Sequence, residues 1–171
     1  MTLEGEARAP VTPDELLEYL GGLGIEATTV THRPVFTVDE AKAHRGELPG
    51  AHTKNLFVRD KKGVMWLVVA MESQRVDLRS LAESLGHKRF SFASRERLER
   101  YLGVVPGSVT PFGVINDRDG LVRVALDASL REYETWNFHP LVNSMTTSIR
   151  AVEMIRFLEA VDHPPRWVTL G

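Results

Sequence analysis

Segments with helix-start signals and segments rich in β-branched or continuous apolar residues alternate along the whole chain. Thr12-Pro13-Asp14-Glu15 predicts a first helix: Thr12 can cap it, Pro13 suits the first helical position, and Glu15 completes a capping box. Gly21, Gly22 and Gly24 end it. Ile25 to Thr31 predicts a strand, and Thr37-Val38-Asp39-Glu40 repeats the capping box ahead of a short helix. After a loop over Gly46 to His52, Thr53 to Arg59 and Val64 to Glu72 predict a hairpin about the turn Asp60 to Gly63. The second arm is apolar at every position from Val64 to Met71, the pattern of a strand covered on both faces in the middle of a sheet.

Further along, Leu78 to Leu85 predicts a helix closed by Gly86, Arg89 to Phe92 a strand, and Ser94 to Leu102 a helix capped by Ser94 and stopped by Gly103. Val104 to Pro111 reads as a loop. Phe112 to Asn116 and Leu121 to Asp127 predict two strands of a hairpin turned by Asp117-Arg118-Asp119-Gly120. Strands near Tyr133 to Phe138 and Met145 to Ile149 and an amphipathic helix over Ala151 to Val161 complete the pattern. There is no internal repeat or low-complexity segment. The expectation is a single α+β domain over residues 12–161, with a mixed, largely antiparallel sheet flanked by helices, between an N-terminal extension (1–11) and a C-terminal tail (162–171).

Composition supports one globular domain. With 171 residues, 43% of them hydrophobic and 26% charged, such a chain buries roughly 70% of its unfolded surface and needs no staples. The absence of cysteine removes disulfide frameworks, thiolate catalysis and sulfur-bound zinc, and points to the cytoplasm. No apolar run approaches the roughly 20 residues of a membrane span, and Met1 to Pro10 carries Glu4 and Glu6 rather than a secretory h-region. The net charge of -2 conceals an asymmetry. Between Lys42 and Arg100 there are 13 basic and 7 acidic residues, against 8 basic and 16 acidic elsewhere, so a basic centre that can meet a phosphate backbone lies within an acidic protein.

Three places could carry chemistry. Lys54 shares a strand face with Leu56 and Val58, while Asn55, Phe57 and Arg59 take the other. A lysine on a core-type face either snorkels to water or holds its ammonium at a pocket mouth, aimed at a phosphate or a developing oxyanion. Pro106-Gly107-Ser108-Val109-Thr110-Pro111 combines two stiffening prolines with a glycine that lets backbone approach a ligand; a plain connection is the other reading. His139, before Pro140, could orient water or serve the fold alone. His32, His44 and His52 lie 12 and 8 residues apart, and no metal motif occurs, so no metal is expected. Neither a Gly-x-Ser-x-Gly elbow nor a phosphate-binding Gly-x-x-x-x-Gly-Lys loop is present.

Five blocks in order, His32-Arg33-Pro34-Val35-Phe36-Thr37, His52-Thr53-Lys54-Asn55-Leu56-Phe57, Ser91-Phe92-Ala93-Ser94, Leu102-Gly103-Val104 with Gly107 to Phe112, and Asn137-Phe138-His139-Pro140, resemble the YbaK/ProX family of aminoacyl-tRNA deacylases. The similarity is greatest to its free-standing ProXp-ala branch, related to the editing domain inserted in bacterial prolyl-tRNA synthetases. The resemblance implies hydrolysis in trans of the ester of alanyl-tRNA(Pro), without metal or cofactor, by a cytoplasmic monomer whose partners are the tRNA acceptor end and, transiently, prolyl-tRNA synthetase. It implies catalytic positions at Lys54, Asn55, Gly107 and His139. Lys54 would anchor the terminal nucleotide, Gly107 backbone would position ester and water, and His139 would place water or screen the side chain. Val35, Phe36, Ser108, Thr110, Pro111 and Phe112 are the expected substrate contacts, and Lys42, Arg45, Lys61, Lys62, Lys88 and Arg89 the expected tRNA contacts. Cysteinyl- or seryl-tRNA deacylation and a non-catalytic tRNA- or synthetase-binding module are the alternatives.

Overall fold

The computed structural model describes residues 9–34 and 48–170. The chain opens with α1 (Pro13–Gly22), where the predicted capping box forms: the Thr12 side chain accepts from the Glu15 N–H, and Glu15 accepts from the Thr12 N–H. The strands are β1 (Ala27–Thr31), β2 (Ala51–Arg59), β3 (Met65–Met71), β4 (Ser91–Phe92), β5 (Val122–Asp127), β6 (Thr135–Phe138), β7 (Met145–Arg150) and β8 (Arg166–Val168). Between them lie α2 (Leu78–Ser84), α3 (Arg95–Arg97, continuing as a π-turn over Leu98–Leu102) and α4 (Ala151–Ala160). The second capping box, Thr37 to Glu40, lies outside the described residues.

One sheet runs in the order β1-β7-β6-β2-β3-β5-β8, with β4 pairing β2 off this path. It is mixed. The β1–β7, β2–β3, β2–β4 and β6–β7 pairs are antiparallel, and β2–β6, β3–β5 and β5–β8 are parallel. As its unbroken apolar run predicts, β3 lies inside the sheet and is buried on both faces. Met65, Leu67 and Val69 enter the main core with Leu16 and Leu20 of α1 and Met154, Phe157 and Leu158 of α4. Trp66 and Val68 enter a second core with Val58 and with Leu81, Ala82 and Leu85 of α2 and its cap. Helices thus cover both sides. No helix among the described residues is long and apolar enough to cross a membrane.

Two expectations are corrected. Pro111–Asn116 forms a 3-10 helix, not a strand. Thr110 caps it, its hydroxyl accepting from the Phe112 N–H at 3.3 Å and its carbonyl from the Gly113 N–H at 3.0 Å, with Pro111 supplying no donor where none is needed. The Asp117–Gly120 turn is real, with Val122 N–H donating to the Asp117 carboxylate at 2.7 Å, but it leads into a strand parallel to β3 and closes no hairpin. In residues 162–170, β8 pairs β5 from Arg166 to Val168. At the other end, within the extension, the Val11 N–H donates to Asn116 Oδ1.

His163 fastens the C-terminal segment. Its Nε2 lies 2.8 Å from Asp117 Oδ2 and its Nδ1 2.6 Å from the Val161 carbonyl, with both side chains buried. Two acceptors demand two donors, so the ring is an imidazolium. Burial opposes that charge, but the Asp117 carboxylate and the Val161 carbonyl outweigh it and hold the pKa above the ordinary 6.5. A raised folded-state pKa gives stability that is complete below 6.5 and lost as the pH rises through the folded value. His163→Asn should therefore cost roughly 3 kcal/mol near pH 6, and denaturant melts should show this deficit shrinking steadily on the alkaline side; a pH-independent deficit would remove the charge from the account.

Candidate active site

The site follows from how β2 is flanked. On one edge it pairs β3 from Thr53 to Arg59. On the other, β6 covers only Ala51 and His52, and β4 only Val58 and Arg59. Between them the edge of β2 is open. The Phe57 carbonyl accepts from the Ala93 N–H on this side, and by the two-residue alternation of a strand the N–H and C=O of Asn55 face the same edge. Sheet edges normally need covering; here a cleft of about 210 Å³ lies against it, lined by Asn55, Leu56, Phe57, Phe92, Ala93, Arg95, Leu98, Pro106, Gly107 and Val109.

Two features give this cleft chemical capacity. Asn55 lines it, and its Oδ1 is buried with no hydrogen-bond partner among the described residues, a state that buried acceptors rarely keep. Lining the same cleft is a β-turn closed by Ser108 N–H to Val105 O at 3.0 Å, with Pro106 and Gly107 as its central residues and Gly107 at φ 91. Proline followed by a positive-φ glycine is the signature of a type II turn. The closing bond uses Val105 and Ser108 and does not engage the Gly107 N–H.

Lys54 stands on the face predicted for it, in line with half-buried Leu56 and fully buried Val58 of the second core, and is itself half-buried. None of the ion pairs among the described residues involves it. It precedes the cleft-lining Asn55 on the strand. His139 follows directly on β6, whose parallel register pairs Ala51 with Trp136 and His52 with Asn137 and ends there, two residues short of Lys54. Thr53 ties the strands together there, its hydroxyl donating to the Asn137 carbonyl at 2.8 Å.

His139 is held in one tautomer. Its Nδ1–H donates to the Met145 carbonyl at 2.8 Å, leaving Nε2 as the unprotonated nitrogen. Burial, then the nearby His32, lower its pKa below the ordinary 6.5, only partly offset by the Met145 carbonyl. The ring is therefore a neutral acceptor at physiological pH. The His32 ring is 6.2 Å away, centroid to centroid, and is anchored to the same strand through Thr146.

The entry to β2 is fixed just as firmly. Asn137 donates to the carbonyls of Pro49 and Ala51 at 2.9 and 3.0 Å and accepts from the Ser148 hydroxyl. Gly50 passes so close beneath β6 that a Cβ there would sit 2.5 Å from the Thr135 carbonyl oxygen.

The other expected contacts divide. Ser108, Thr110, Pro111 and Phe112 are buried and do not line the cleft. Phe112 belongs to the main core, edge-on to Phe138 and Phe157, so this part of the loop supports the turn from behind. Val35, Phe36, Lys42 and Arg45 lie outside the described residues. Lys61, Lys62, Lys88 and Arg89 are exposed, and the structure brings the two pairs together: Asp60, beside Lys61, binds His87, beside Lys88, at 2.9 Å. His87 in turn accepts from the Trp66 indole N–H at 2.9 Å. Sequence reasoning overlooked Phe92, Arg95, Leu98 and Val109; Phe92 and Ala93 fell within a quoted block but were given no role.

Among the cleft-lining residues none is a serine, cysteine, histidine or carboxylate. Lys54 and His139 do not line it either, so what the cleft itself offers for placing an ester and water is strand-edge and turn backbone with the Asn55 amide, and no side-chain nucleophile for a covalent intermediate. Comparison with known proteins agrees. The family described as "Aminoacyl-tRNA editing domain" matches residues 32–157. A prolyl-tRNA synthetase associated domain-containing protein 1 from Xenopus laevis is 39% identical over 88% of this chain and 92% of its own length. A prolyl-tRNA editing protein ProX from Acetoanaerobium sticklandii is 37% identical over 85% and 89%. In fold, the chain is similar to a solved structure described as a candidate trans-editing enzyme for prolyl tRNA synthetase, with a TM-score of 0.67 at 21% identity over 91% and 93% of the two chains. The chain belongs to the aminoacyl-tRNA editing domain family, and with that membership comes the class of aminoacyl-tRNA hydrolases.

Proposed function

We propose that the protein hydrolyses the ester of alanyl-tRNA(Pro) in trans, in the cytoplasm and as a monomer, removing alanine that prolyl-tRNA synthetase has attached in error and meeting the synthetase only transiently. A site built for proline cannot strongly exclude the smaller alanine, because each missing methylene costs only about 1–3 kcal/mol. A second site that admits alanine and rejects proline corrects the error. The names of the relatives at 39% and 37% identity, one associated with prolyl-tRNA synthetase and one with prolyl-tRNA editing, support tRNA(Pro) as the tRNA body of the substrate.

The observation that carries the chemistry is the open edge of β2, where Asn55, with its unpartnered acceptor, and a rigid glycine turn line one cleft. In this reading Asn55 Oδ1 accepts from a donor of the aminoacyl-ribose end, the Gly107 N–H meets the carbonyl oxygen as charge develops on it, and Nε2 of His139 accepts from the attacking water. Lys54 anchors the terminal nucleotide. The joined Lys61–Lys62 and Lys88–Arg89 pairs take backbone phosphates, with Lys42 and Arg45 as further contacts.

Deacylation of a panel of mischarged tRNAs, with no synthetase present, tests this. Alanyl-tRNA(Pro) should be cleared fastest, with seryl- and cysteinyl-tRNA slower because their added polar atom must meet an apolar wall. A seryl or cysteinyl lead would move the specificity, and no turnover on any member would leave only a binding module.

A further inference from the structure

Phe92 is 62% exposed, the most exposed of the large hydrophobic side chains among the described residues. Its backbone is nevertheless firmly placed: Phe92 pairs Val58, Ser91 pairs Arg59, and the Ala93 N–H donates to the Phe57 carbonyl at 2.9 Å. A solvent-facing ring on a firmly placed backbone at the rim of a cleft is a surface waiting for a flat apolar partner. It lines that cleft together with Arg95, Pro106 and Gly107. The Arg95 guanidinium is exposed and its contact with Glu99, at 3.7 Å, is a solvated i,i+4 pair, which exchanges for a phosphate at little cost.

We infer that Phe92 is the platform on which the terminal base of the tRNA acceptor end stacks, with Arg95 beside it taking a backbone phosphate. This rests on the proposed reading of the cleft as an aminoacyl-tRNA site. An aromatic face next to a guanidinium matches what a single-stranded nucleotide end offers, a π-face joined to an anion. The substrate's base would then be fixed on one side of the cleft while its ester reaches Asn55 and Gly107. Stacking is indifferent to base identity, so the contact would add affinity and orientation rather than sequence choice.

The test uses the full chain with an acceptor-stem RNA hairpin whose terminal adenine is replaced by 2-aminopurine. Its fluorescence should be quenched by the wild type and by Phe92→Trp, and left unchanged by Phe92→Ala. On aminoacylated tRNA, Phe92→Ala should raise KM about 10- to 100-fold with little change in kcat, while Phe92→Trp stays near wild type. A substrate lacking the terminal base should show the same raised KM with wild type, and no further rise with Phe92→Ala. Wild-type KM for Phe92→Ala, or equal quenching by it, overturns the stacking role. The quenching readout needs no turnover, so the platform can stand even if no ester is cleaved, and the deacylase reading can stand if the platform fails.

Discussion

Lys54→Ala should leave a folded protein that no longer clears alanyl-tRNA(Pro), with kcat/KM reduced at least about 100-fold, the loss typical when one preorganised charge or donor is removed from a reacting centre. The argument comes from its position. Lys54 shares a face with Leu56 and Val58 yet stays half-buried at the margin of the second core. Truncation there opens no large cavity and removes the need to keep an ammonium partly out of water. Melting should therefore be unchanged or slightly raised while activity disappears. Lys54→Arg retains the charge but not the compact ammonium geometry, and should recover binding more than rate. Near-wild-type turnover by Lys54→Ala would remove the residue from the site, whereas a collapsed melt would show that it supports the fold.

Gly107→Val should be almost as damaging, by a different route. At φ 91 a β-branched residue is strained by about 1–2 kcal/mol, and the turn relieves that strain by rotating the Pro106–Gly107 peptide. The rotation would withdraw the Gly107 N–H from its proposed place on the ester while keeping the turn's closing bond from Ser108 to Val105. Stability should therefore fall only slightly, but kcat should drop about 100-fold, as for loss of an oxyanion donor. KM should change little because the cleft walls stay in place. A variant with normal kcat would show that this N–H does not meet the reacting carbonyl.

Much of this architecture was legible in the chain because local signals and tertiary context agreed. The Thr12–Glu15 box, the doubly apolar β3 and the placement of Lys54 all came from periodicity and capping chemistry. The 3-10 helix at Pro111 carried the same threonine-proline start as α1, but its β-branched and aromatic residues read as a strand; burial of Phe112 and Val114 against α4 and β6 decided the outcome. Parallel pairing of β5 could not be read locally, since it depends on β3 already being in place. The cleft was hidden for the same reason. It exists because β4 and β6 are both too short to cover β2, and no residue of β2 records the length of its neighbours. The Gly107 loop was marked by its prolines, yet only the fold separates the exposed turn, Pro106 and Gly107, from Ser108, Thr110, Pro111 and Phe112 behind it. Phe92 resembled any strand residue until the sheet ended beside it.

The most direct measurement is the rate at which the wild-type protein hydrolyses alanine and proline from the same tRNA(Pro) body. A site sized for one methyl group must strain around a pyrrolidine ring, at about 1–3 kcal/mol for overpacking alone, and the displaced ester would then miss Asn55 and the Gly107 turn, adding a rate penalty. The alanyl ester should be cleared at least about 100-fold faster than the prolyl ester. Equal rates, or faster loss of proline, would contradict an editing function, because the protein would then destroy the correct product along with the error.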